Sequence, residues 1–266
     1  TRSRPAPASH DPTHHSRFNR TGSCTGPHAP VTRFLNGRPG TLAYLVCPVI
    51  DDTLWEVHVT DLQLAIQTLL VPGADLEAQF QEAKTAGFDA IEVAVGPAFD
   101  LGERFQDVER AMRNTGLPVA ALCTHPIHDP MQPDSWERQR RFEVLSDLML
   151  QADQLGARGV VSVPLRPSRG FASPQEQESL VASLSGELVD ALSTWVSGLP
   201  AGKAALFIEP LNRSEAFLVN TVGQAVDIAR RVNSPRVMAL ADLFHMNIEE
   251  RHLGKPLREA GSLLGH

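Results

Sequence analysis

The sequence predicts an α/β fold built on a parallel sheet, and three observations carry this. Apolar segments of strand length alternate with segments of helical period along most of the chain. The strand segments are near-continuous apolar runs, as in a sheet covered on both faces. No GxGxxG follows the first strand, so a dinucleotide-binding sheet has no support. A doubly wound open sheet and a (β/α)8 barrel both satisfy the pattern. In either one, chemistry gathers at the C-terminal ends of the strands.

Residues 1–60 stand apart: Pro, Ser, Thr, His and Arg dominate, and no apolar period runs through them. Such a segment buries too little surface to offset its ordering entropy, so it is expected to be a disordered tail, with the barrel domain over 61–266. LAYLVCPVI (42–50) is an apolar island within the tail that would form a strand or dock on a surface. His10, His14 and His15 in this tail read as a solvated, biased segment rather than a metal site.

The elements follow in order. LQLAIQTLL (62–70) reads as the first strand, and 75–87 as a helix with Leu76, Phe80 and Ala83 on one face and Gly87 at its end. Strand 88–95, helix 100–116 and strand 117–125 come next. Phe142, Leu145, Met149, Ala152 and Leu155 set a helix over 135–156, before a strand at 157–165. Ser173, Pro174 and Glu176 form a helix start for 173–196. Strand 204–211 leads to a helix from Thr221 to Val232, where Thr221 and Gln224 pair as a capping box. A sixth strand is expected over 236–244 and a short last helix within 249–263.

The 266 residues carry a net charge of −7. Residues 1–60 hold six arginines against four acidic residues, so the rest of the chain carries about −9. That balance argues against nucleic acid or an anionic membrane as a general partner and favours a small substrate. Cys24, Cys47 and Cys123 form no CxxC pair, which suits a reducing cytoplasm. No apolar run approaches the roughly 18 residues of a membrane span.

Polar residues fall repeatedly where strands end: Glu92, His125, Glu209, Asp242 and His245. Glu209 and Asp242 each follow a greasy run, in LFIEPLNR and MALADLFHMN. Two carboxylates on neighbouring strand ends suit a hard divalent cation such as Mg2+ or Mn2+. The plainer reading is a pair of salt-bridged rim residues, with Arg213 beside Glu209. His245 fits a ligand, a donor to substrate or a satisfied rim histidine. Glu92 either points inward or pairs with an arginine. Trp136 and Trp195 read as packing residues, and Cys123 as an inert strand-end thiol.

FIEPLNRSEAFLVNTVGQAVDIARRVNSPRVMALADLFHMNIEE (207–250) resembles the xylose-isomerase-like TIM-barrel sugar phosphate isomerases and epimerases. Nearest are the D-tagatose and D-psicose 3-epimerases, with hydroxypyruvate isomerases close by. The signature is E-P-L-N-R-x-E, then N-T, then D-x-F-H-M-N-I-E-E. The resemblance implies a (β/α)8 barrel and an isomerase using Mn2+, Mg2+ or Co2+ on a ketose or related hydroxy-carbonyl sugar. It implies Glu209 as metal ligand and acid/base, Asp242 as second ligand, and Glu215 and His245 as holders of substrate oxygens.

The same resemblance places a histidine ligand and a glutamate, the latter both ligand and second acid/base, beyond the Gly265-His266 pair. The expectation is therefore an incomplete barrel with about six of eight βα units. A fragmentary or inactive barrel is the alternative. A homo-oligomer would cover its two open edges. A three-zinc endonuclease on the same barrel is a weaker reading, since it needs more rim ligands and a basic groove.

Overall fold

The computed structural model describes residues 63–130, 134–162 and 173–266, and these carry six parallel strands in the order β1 to β6. The tail, its apolar island and its histidines lie outside the described residues. In chain order the elements are β1 (Ala65–Gln67), α1 (Leu76–Thr85), β2 (Ala90–Val95), α2 (Leu101–Thr115), β3 (Val119–Thr124), α3 (Ser135–Leu155) and β4 (Gly159–Ser162). Then come α4 (Pro174–Gly198), β5 (Ala205–Ile208), α5 (Val222–Val232), β6 (Val237–Ala239), α6 (Leu243–Glu249) and α7 (Gly254–Ala260).

The helix boundaries have local causes. Asp75, Asp100, Asp134 and Ser173 each accept a backbone N–H in the first turn of the helix that follows. α5 starts with the full Thr221–Gln224 capping box and ends at Asn233, whose φ of 53° is left-handed.

Side chains alternate across each strand. Ile91, Val93, Leu122, Val160, Leu206, Ile208 and Val237 pack outward against the helices. Ala121, Val161, Ala205, Phe207 and Leu240 form a separate inner cluster, with Cys123 and Met238 against it. Phe207 fills this interior. A Cβ on Gly159 would lie 2.0 Å from the Ala205 carbonyl oxygen and 2.8 Å from the Phe207 ring, and one on Gly265 2.5 Å from the ring, so glycine admits both the close backbone and the aromatic there. At the opposite strand ends, Asp153 accepts the N–H groups of Lys203 and Ala204 at 2.6 and 2.7 Å and pairs with Arg236 at 2.7 Å. This holds the entries to β5 and β6 together.

The structure corrects several expectations. The strand expected over 62–70 is three residues long and gives way to a 3-10 turn at Thr68–Leu70. The strand expected over 236–244 stops at Ala239, because Asp242 accepts the Phe244 N–H at 2.7 Å and starts α6. The expected last helix is α7, which begins five residues after α6 ends. Trp136 is 68% exposed under Arg140, not a packing residue, whereas Trp195 stacks on Phe142 and donates to Ser146 Oγ at 2.9 Å.

β1 and β6 do not pair with each other among the described residues, so the six described strands do not by themselves close into a barrel. Beyond the six strands, Leu264 bridges Ala239 in parallel. Gly265 donates to the Ala239 carbonyl at 2.9 Å, and Ala241 to that of His266 at 3.1 Å. The chain thus enters a seventh strand position beside β6.

Candidate active site

Glu209 is the residue after β5, and its N–H donates to the Ser162 carbonyl at 3.4 Å. The next strand brings Asp242 alongside through the Leu240 N–H, which donates to the Ile208 carbonyl at 2.9 Å. α6 then carries His245 one turn past Asp242. Each of Glu209, Asp242 and His245 offers a ligand atom, and the three atoms lie within 4.8 Å of one another.

Burial makes the Glu209 charge costly. Its carboxyl is pushed up to about 8, first by desolvation and then by the negative charges of Asp242, Glu92 and Glu215. Arg213 does not neutralise it. That guanidinium turns away to Glu249, with Nη2 at 2.6 Å and Nε at 3.0 Å from the carboxylate oxygens, so the plainer reading of a salt bridge between Arg213 and Glu209 does not hold. Asp242 spends one oxygen capping α6, and its other oxygen lies 3.6 Å from His245 Nε2.

The loop after Glu209 supplies the remaining groups. Asn212 is buried, and its side-chain amide donates to Glu215 Oε1 at 2.9 Å. The same amide nitrogen lies 3.0 Å from His245 Nδ1, which also accepts the Asn212 backbone N–H at 3.3 Å. Glu215 and His245 are thereby joined through one residue. Sequence reading passed over Asn212 and Glu249, though both stand inside the quoted signature. The available signal was the i, i+3 spacing of Asn212 and Glu215.

Glu92 sits in the middle of β2, not at its end, and points inward. Gln67 Nε2 donates to its Oε1 at 2.6 Å, and His266 Nε2 lies 3.3 Å from its Oε2. His266 also stacks on Phe207 with ring centroids 5.4 Å apart. Cys123 faces the same interior, where burial and the charges of Glu92 and Glu209 push its thiol far up, in keeping with an inert group. His125 caps the 3-10 turn Pro126–His128 by accepting the Ile127 N–H at 3.3 Å. Neither His125 nor His128 joins the carboxylate group.

The donor set fits a hard divalent cation: two carboxylates, with excess negative charge that depresses ionisation of the deeper one. A probable ketose 3-epimerase of Synechocystis sp. is 41% identical over 199 residues, 71% of this chain and 64% of its own. A D-psicose 3-epimerase of Ruminiclostridium cellulolyticum is 48% identical over 59 residues, 22% of this chain and 20% of its own. The chain therefore spans less than two thirds of either relative. The apo crystal structure of 3-keto-D-glucoside 4-epimerase from E. coli superposes with a TM-score of 0.64 at 23% identity, covering 77% of each chain, which speaks for the fold. Residues 80–266 match the family described as xylose isomerase-like TIM barrel, and the chain belongs to that family.

Proposed function

We propose that this chain, with its six described strands, belongs to a divalent-metal-dependent sugar isomerase or epimerase acting on a ketose or related hydroxy-carbonyl substrate. The single observation carrying this is the convergence of Glu209 and Asp242 at the ends of adjacent strands, beside His245. Its setting is a family whose relatives include ketose 3-epimerases. Glu209 and Asp242 hold the cation. When bound, Mn2+, Mg2+ or Co2+ supplies Lewis-acid stabilisation of charge on substrate oxygens.

The chain's own residues do the rest. Glu209, half-buried at the end of β5 beside Asp242, is placed to exchange a proton at a carbon next to a carbonyl. His245 and Glu215, joined by Asn212, hold substrate oxygens. Returning the proton from the opposite face inverts the centre, which requires a second acid/base group. Returning it to the neighbouring carbon interconverts ketose and aldose.

Calorimetry with Mn2+ tests the half-site. The parent chain is expected to bind, and Glu209→Ala and Asp242→Ala are each expected to abolish the heat signal while circular dichroism is unchanged. A folded parent that takes up no Mn2+ would remove the cation from this reading. Solvent-deuterium exchange into D-psicose or L-ribulose, followed by NMR, then tests the proton-transfer step.

A further inference from the structure

We infer that Asn212 is a positioning residue that fixes His245 in its Nε2–H tautomer, making it a hydrogen-bond donor into the site and not a cation ligand. Two backbone donors decide the geometry. The Asn212 N–H points at His245 Nδ1 at 3.3 Å, and a backbone N–H can only donate, so Nδ1 carries no proton. The Ser214 N–H donates to Asn212 Oδ1 at 2.9 Å, which orients the side-chain amide with its NH2 group outward. That NH2 group has two hydrogens and two acceptors: Glu215 Oε1 at 2.9 Å and His245 Nδ1 at 3.0 Å. With Nδ1 accepting, the neutral ring holds its proton on Nε2.

Nε2 is the nitrogen that faces Asp242, at 3.6 Å. A protonated Nε2 has no lone pair for a cation. Of the three groups within 4.8 Å, the two carboxylates are then the ligands, and His245 presents N–H to an acceptor oxygen. An acceptor there matches a carbonyl or deprotonated hydroxyl oxygen of the substrate. That last step rests on the sugar reading above; the tautomer itself does not. The arrangement also couples Glu215 to His245, since one amide orients both.

The test is NMR on the whole chain labelled with 15N, with His245 assigned by comparison with His245→Gln. The parent is expected to show the Nε2–H pattern in long-range 1H–15N correlation. It is also expected to show a scalar coupling across the hydrogen bond between Asn212 Nδ2 and His245 Nδ1. Asn212→Asp removes the side-chain donor but leaves the backbone N–H on Nδ1, so it is expected to lose this coupling while His245 keeps its Nε2–H. An Nδ1–H parent, or a parent without the coupling, would each overturn the assignment. The two parent measurements decide the matter even if the variant fails to fold. A confirmed tautomer in a chain without metal-dependent proton exchange would instead sink the sugar reading and leave this one standing.

Discussion

Glu209 sits where its own charge is disfavoured, and that has a consequence for stability. In the unfolded chain its carboxyl titrates near the ordinary 4.5, and in the folded, metal-free chain near 8. Between those values the folded state keeps a proton that the unfolded state has released. The folded state binds more protons, so stability falls as pH rises through this window. Below it the residue contributes nothing, and above it the full cost is present. The slope from this one group is at most about 1.4 kcal/mol per pH unit. Glu209→Gln keeps the shape and removes the titration. Urea denaturation of the metal-free proteins should show the variant gaining on the parent as pH rises to about 8, with the advantage gone by about pH 4. Parallel stability curves over that range would show that the site does not strain this carboxyl.

At the scale of elements, the site is assembled from two pieces, the loop 209–216 and α6, and a clasp joins them. Glu249 on α6 is only 5% exposed at its side chain. It takes the Arg213 backbone N–H at 2.7 Å as well as the guanidinium. Its neighbour Glu250 accepts the Val222 N–H of α5 at 3.0 Å. One turn of helix thus ties down both the Glu209 loop and the next helix. Groups that orient ligands outside the coordination sphere typically change metal affinity by about 10- to 100-fold. Glu249→Gln is therefore expected to weaken Mn2+ binding about ten-fold with little change in helix content. Calorimetry and circular dichroism on the same samples check this, and an unchanged affinity would reduce the clasp to a surface contact. α6 itself was not legible beforehand. A seven-residue helix shows too little period to separate from a strand's apolar run, and the capping role of Asp242 was hidden by its candidacy as a ligand.

Across the whole molecule, the inner cluster decides whether the strands curve as a barrel wall. Phe207 is 1% exposed and is the largest apolar side chain in that cluster. It packs against Gly159, Gly265 and the His266 ring, so it links β4, β5 and the segment entering the seventh position. Its removal leaves a void between rigid backbones that cannot collapse. Phe207→Ala is expected to cost about 3–5 kcal/mol. Thermal and urea unfolding measure it, and a loss below about 1 kcal/mol would mean the interior is not close-packed.

The sequence by itself determined the alternation of elements, the parallel sheet, most helix starts and the placing of Glu209 and Asp242 after greasy strands. Those features depend on side-chain period and on caps within a few residues, which a linear pattern records. Only the tertiary structure decided that Arg213 serves Glu249, that Glu92 turns inward to Gln67 and His266, and that Asn212 governs His245. The Asn212–His245 and Arg213–Glu249 partners are 33 and 36 residues apart. Such meetings depend on the register between neighbouring strands and on how far each loop reaches beyond its strand, and no local pattern encodes either.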